Sequence, residues 1–155
     1  MPTAWRIVKA KLAATAFDGE GARRFGGRWN SPGTAVVYCS ESLALAALEL
    51  LVHLESSEIL GAYVAFRVEF PDSALSVIDE AWLPQNWREY PPPPAVQELG
   101  DTWARAHASA VLRVPSIVVE GEHNYVLNPN HPDFPKIEVH GPQPFDFDPR
   151  LGSSA

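Results

Sequence analysis

A single cysteine, Cys39, stands in the 155 residues, so no disulfide can close within the chain and a reducing compartment is the natural setting. No stretch approaches the ~18 consecutive apolar residues that a membrane-spanning helix needs. Met1 to Lys11 carries no long apolar run, which predicts no secretory leader and a cytoplasmic protein with no membrane partner. Positive charge is scarce: 12 Lys and Arg stand against 19 Asp and Glu, a net charge of −7. Proteins that neutralise nucleic-acid phosphates carry a basic footprint, so direct nucleic-acid binding is not expected. Helical His pairs and dense Cys/His spacing are missing, and with them any expectation of a metal site. The Gly-Lys spacing of a phosphate loop, the GxGxxG of a dinucleotide fold and the GxSxG of a serine hydrolase are missing too.

What is there is apolar and aromatic: 46% hydrophobic residues and 10% aromatic ones. That content can fill a core without metals or disulfides, and the length fits one domain spanning residues 1–155. The few cations are uneven. Arg6, Lys9, Lys11, Arg23, Arg24 and Arg28 all fall in the first 28 residues, a local cluster suited to a small anion.

Residues 5–8 read as a short strand. Phe17 to Gly33, with five glycines and Pro32, reads as a shaped loop. Residues 35–39 (AVVYC) form a buried strand on their β-branched content. Ser40 can cap a helix that begins at Glu41 and is apolar on nearly every face from Leu43 to Leu54, which predicts burial on several sides. Tyr63 to Phe70 alternates, with Val64, Phe66, Val68 and Phe70 on one face and Arg67 and Glu69 on the other. Pro91 to Pro94 predicts a stiff extended connection, and Val96, Leu99, Trp103 and Ala106 keep helical spacing. Residues 117–119, 125–127 and 137–139 read as further strands. Several strands and few helices, without regular βαβ alternation, predict an α+β fold with mixed or antiparallel sheets.

Glu49 is the most informative residue, because a carboxylate in so apolar a helix needs a partner or a function. The structural alternative is a local pair with His53. Arg28 lies in GGRWNSPG, where glycines let backbone approach a ligand and a guanidinium can fork onto phosphate oxygens. Tyr38 closes a strand just before the Glu49 helix, where an aromatic ring can stack on a flat heterocycle or simply pack in the core. Ser116, after Pro115, can position a ligand or cap backbone amides. Asn124, Asn128, Asn130, His131 and Asp133 read mainly as turn residues, with Asn124 in reach of a pocket.

Together these stretches resemble the RES-domain family. The resemblance rests on Trp5-Arg6-Ile7, on FDGEGARRFGGRWNSPGTAVVYCSESLALAALELLVHL from Phe17 to Leu54, and on the Tyr63 strand and Trp103. VPSIVV from Val114, NYVLNPNHPDF from Asn124 and the closing FDFDPRL extend it, in that order along the chain. Glu120 stands where the family pattern has proline. The resemblance implies a fold like that of ADP-ribosyltransferases, and a toxin that consumes NAD as substrate with no other cofactor. Cleavage of the nicotinamide–ribose bond would proceed by hydrolysis, phosphorolysis or transfer of ADP-ribose to a host protein. It implies Glu49, Arg28 and Tyr38 as catalytic residues, and Arg6, Ser116 and Asn124 as substrate-binding ones. An Xre-type helix-turn-helix antitoxin is the implied partner, blocking the site; self-association into a homo-oligomer stays open. Two rivals follow from the residues alone: a non-enzymatic nucleotide-binding regulatory module, and a hydrolase pairing Ser116 with His123 or His131.

Overall fold

The computed structural model describes residues 1–152. Seven strands form one sheet: β1 (Thr3–Lys9), β2 (Val37–Ser40), β3 (Tyr63–Glu69), β4 (Leu75–Val77), β5 (Val111–Pro115), β6 (His123–Leu127) and β7 (Glu138–Phe145). Their order across the sheet is β4-β5-β6-β2-β1-β3-β7. Every neighbouring pair is antiparallel except β4 with β5, which is parallel. Three α-helices among the described residues accompany it, besides short 3-10 turns: α1 (Glu20–Phe25), α2 (Leu43–Leu51) and α3 (Pro94–Arg105). The fold is α+β with a mixed sheet, as the strand-rich sequence predicts.

The alternation of each strand sends its side chains to two layers. On one face Ala4, Val37, Cys39, Val68, Phe70, Val111, Tyr125 and Leu127 build one core cluster. On the other, Leu112, Val114 and Val126 pack with Trp29, Trp87, Val96 and Trp103. Further along that second face, α2 lays Leu43, Ala46, Ala47 and Leu50 against Trp5 and Ile7 of β1. The spacing i, i+3, i+4, i+7 is one helix stripe. The opposite side of α2 meets solvent at Ala44, Leu48 and Val52, so its unbroken apolar sequence does not translate into burial all round.

Several expectations shift. Ser42, not Ser40, caps α2, its side chain accepting from the amide of Leu45; Ser40 is taken by the β2–β6 pairing with Asn124. The Phe17–Gly33 loop contains α1, opened by Gly19 and closed by Gly26, both at positive φ. Six residues between two glycines are too few to show helical periodicity. Pro94 is the first residue of α3 rather than part of the connection, a position where its missing N–H costs nothing. In β3, Tyr63 and Ala65 share the face of Arg67 and Glu69 but are buried in the cluster beneath α2. The strand expected at 117–119 lies earlier, as β5; Ser116 turns the chain there, its Oγ accepting from the amides of Val118 and Val119, both at 3.1 Å.

Candidate active site

The β1–β2 junction is the narrow point of the sheet. β1 has seven register partners along β3 but pairs with β2 only at Trp5 and Ser40. Beside that seam, β2, β6 and the end of β5 offer Tyr38, Ser40, Asn124 and Ser116 to the face that carries α2. Glu49 stands one turn after the buried Leu45 on the flank of α2 turned toward β6. Its Oε1 accepts from Ser116 Oγ at 2.7 Å and from Asn124 Nδ2 at 2.9 Å. Asn124 is itself oriented by Ser40 Oγ, which donates to its Oδ1 at 2.7 Å. Ser116 is fixed by the two turn amides that point into its hydroxyl.

Charge-assisted bonds of this kind are the stronger class and fix the carboxylate in one orientation. Only Oε1 is used. Among the described residues Oε2 has no protein donor, and it is not among the side-chain oxygens sealed from solvent without a partner. One carboxylate oxygen is therefore anchored and the other is free for a ligand. His53 plays no part, being exposed and beyond the end of α2.

Arg28 approaches from the glycine-rich loop. Its Nη1 donates to the carbonyl of Trp87 at 2.8 Å and its Nη2 to that of Glu89 at 3.1 Å. Partial burial pushes the guanidinium down from its ordinary value, while the charge of Glu49, with Tyr38 and Tyr90, pulls it back up. Arginine stays protonated through such shifts. Glu49 and Arg28 feel each other's field, yet among the described residues they form no ion pair within 4.0 Å. Arg28 thus lies within the field of Glu49 without being paired to it, its fork turned onto the carbonyls of Trp87 and Glu89.

Tyr38 locks the loop that carries Arg28. Its hydroxyl donates to Asn30 Oδ1 at 2.6 Å and accepts from the amide of Trp29 at 3.0 Å. Burial holds the phenol well above its ordinary range, so it stays neutral and cannot act as a base near pH 7. Two residues that sequence reasoning passed over complete the lock. Trp29 is 2% exposed and wedged into the core, and Asn30 is fully buried, its Nδ2 donating to the carbonyls of Ala22 and Thr34. Their position between the glycines and Ser-Pro-Gly was the available signal.

The structure brings together Glu49, Ser116 and Asn124 by direct bonds, and Arg28 and Tyr38 by proximity. It does not bring Arg6. The alternation of β1 puts Arg6 on the other face of the sheet, beside Phe17. There its Nη1 donates to the carbonyl of Tyr38 at 2.9 Å and its Nε to that of Ala16 at 2.7 Å. Arg6 thus bridges the seam where strand pairing is sparse. The rest of the N-terminal cations disperse as well: Arg23 and Arg24 pair with Glu20, and Lys9 with Glu58.

A serine–histidine couple is ruled out by geometry. The Ser116 proton goes to Glu49, His123 lies against Arg113 and Glu41, and the ring of His131 meets the carbonyl of His107 and the amide of Asp133. Cys39 is buried, which pushes its thiol up to about 12, far from nucleophilic. Among the described residues one group has metal-donor spacing, Glu69, Glu138 and His140 at the β3–β7 edge. Arg67 already pairs with Glu69, and His140 lies 3.7 Å from each carboxylate.

The RES domain family matches residues 3–148. The chain belongs to the RES-domain family of toxins. A curated relative named Toxin Res, from Yersinia enterocolitica serotype O:8, is 38% identical over 95% of this chain and 97% of its own length. Another, the Prs ADP-ribosylating toxin of Sphingobium sp. strain YBL2, is 38% identical over 95% of this chain and 94% of its own. In fold, this RES domain is similar to a chain in the crystal structure of the M. tuberculosis MbcT–MbcA toxin–antitoxin complex. The TM-score is 0.76 at 22% identity, covering 97% of this chain and 86% of that one. No helix among the described residues is long and apolar enough to cross a membrane.

Proposed function

We propose that this RES domain acts in the cytoplasm as the toxin of a toxin–antitoxin pair and cleaves the nicotinamide–ribose bond of NAD, depleting it and arresting growth. The observation that carries this reading is the Glu49 carboxylate, anchored through Oε1 by Ser116 and Asn124 with Oε2 left open, and with Arg28 in its field but not paired to it. Breaking a glycosidic bond to nicotinamide develops positive charge at the anomeric carbon, and a pre-oriented carboxylate stabilises it. Nicotinamide departs with the electrons of the broken bond, and an acceptor oxygen or nitrogen forms the new bond to that carbon and sheds its proton. Arg28 holds the pyrophosphate with the N–H groups its two carbonyl contacts leave over. In this reading the half-buried ring of Tyr38 contributes its face to nicotinamide. Ser116 and Asn124 act on the substrate through Glu49, and Arg6 acts at one remove, through the strand that carries Tyr38. The scheme needs no metal or organic cofactor.

The acceptor separates two versions. Water or inorganic phosphate makes the chain a glycohydrolase or phosphorylase; a protein side chain makes it an ADP-ribosyltransferase, the activity carried in the name of the Prs ADP-ribosylating toxin, one of its 38% identical relatives. Incubation with NAD labelled in the adenine, with and without phosphate and with and without a bacterial lysate, distinguishes them by where the label goes. Free ADP-ribose, its 1″-phosphate and labelled protein are the three outcomes. NAD that binds and is recovered intact in every arm would leave a nucleotide-binding module instead. The partner expected to silence the site is a helix-turn-helix antitoxin of the Xre type, presenting a carboxylate or polar segment to Arg28.

A further inference from the structure

The Arg28 loop is held by three residues on one stripe of α3. Gln97 Nε2 donates to the carbonyl of Gly27 at 2.9 Å and to that of Asn30 at 3.2 Å. Gly100, one turn on, lets helix and loop backbones touch: a Cβ there would lie 1.7 Å from the carbonyl oxygen of Trp29. Asp101 is 2% exposed; its Oδ1 accepts from the amide of Ser31 at 2.9 Å, and its Oδ2 from the Ser31 hydroxyl.

Asp101 is the unusual member. A buried carboxylate normally answers to a cation, yet among the described residues none lies within 4.0 Å of it. Its compensation comes entirely from the two donors of Ser31. Gly27, Trp29, Asn30 and Ser31 are thus each fixed by α3, while the side chain of Arg28 leaves the loop toward the carbonyls of Trp87 and Glu89.

We propose that Asp101 is a positioning residue for substrate: through Ser31 it sets the loop from which Arg28 reaches the anionic part of NAD. This rests on the reading of Arg28 given above. A side chain displaced by about 1 Å loses much of its binding contribution, so the effect falls on NAD affinity through Arg28.

The test is a double-mutant cycle on the full chain, with NAD affinity, turnover and melting temperature measured for wild type, Asp101→Ala, Arg28→Ala and the pair. Asp101→Ala is expected to weaken NAD binding on the order of tenfold or more, and to add less than about twofold once Arg28 is already alanine. Asp101→Asn, which keeps an acceptor for the Ser31 amide, should recover part of the affinity, and Ser31→Ala should lose part of it. These two milder variants carry the test if Asp101→Ala does not fold. Unchanged NAD affinity in all Asp101 and Ser31 variants, with only the melting temperature lowered, would overturn the inference and leave Arg28 in its role. Equal affinity of wild type and Arg28→Ala would remove the Arg28 reading and the inference with it, a failure visible without touching Asp101.

Discussion

Replacing Glu49 with glutamine removes one negative charge and almost nothing else. The amide oxygen can still accept from Ser116 and Asn124, which anchor Oε1 at 2.7 and 2.9 Å. The inner stripe of α2, Leu43, Ala46, Ala47 and Leu50, is untouched. Two charge-assisted bonds become neutral ones, a change of about 1 kcal/mol each at most, so the variant should fold with a modestly lowered melting temperature. Turnover should fall far more. Loss of one pre-organised electrostatic group costs about 10²–10³ in rate, roughly 3–4 kcal/mol. NAD affinity should change little, because the proposed scheme gives the anionic part of the substrate to Arg28 and not to Glu49. Nicotinamide release under single-turnover conditions, NAD affinity by calorimetry and thermal melting on the same samples separate these terms. Turnover near wild type with lowered stability would show that Glu49 is only a packing and hydrogen-bonding residue.

Other outcomes follow from the same geometry. Arg28→Lys should weaken NAD binding on the order of tenfold, since lysine offers one point charge where the loop presents a planar fork; equal affinity by titration would count against pyrophosphate binding there. Ser116→Ala should cost roughly 1–3 kcal/mol, because the amides of Val118 and Val119 lose their acceptor. It should also slow turnover by freeing Glu49, and wild-type Ser116 should resist serine-directed reagents, so rapid labelling would contradict its placement. Cys39 adds an alkaline signature. Its folded thiol is raised from 9.0 to about 12, so its contribution is complete below pH 9 and is lost as pH climbs through that window. The stability difference between wild type and Cys39→Ala, measured by denaturant from pH 8 to 11, should shrink with rising pH; a constant difference would contradict burial of the thiol.

The parts of this fold legible in the sequence are those written locally. The β-branched run ending at Tyr38 and the spacing of Val96, Leu99 and Trp103 announce β2 and α3. Glu49 in an apolar helix announces a carboxylate that needs partners, and Ser116 and Asn124 supply them. What stayed hidden depends on partners distant in sequence. Whether Arg6 faces the site depends on the phase of β1 against β2, and its single pairing at Trp5–Ser40 cannot be read from either strand alone. Leu75 to Val77 is too short to show alternation and becomes β4 only by lying beside β5. The displaced strand near Ser116 reflects competition: the apolar stretch runs on, but a serine hydroxyl capping two amides ends the ladder first. Asp101 looks like any polar helix residue until Gly100 brings α3 onto the loop.

The central claim is that this protein breaks the nicotinamide–ribose bond of NAD at Glu49. Its most direct test is the amount of free nicotinamide released from NAD by the purified, antitoxin-free chain, set against the Glu49→Gln protein. One nicotinamide for each NAD lost, with release by the variant reduced about 10²–10³-fold, is the expected result. Intact NAD with wild-type protein that binds it, or equal release by both proteins, would contradict the account.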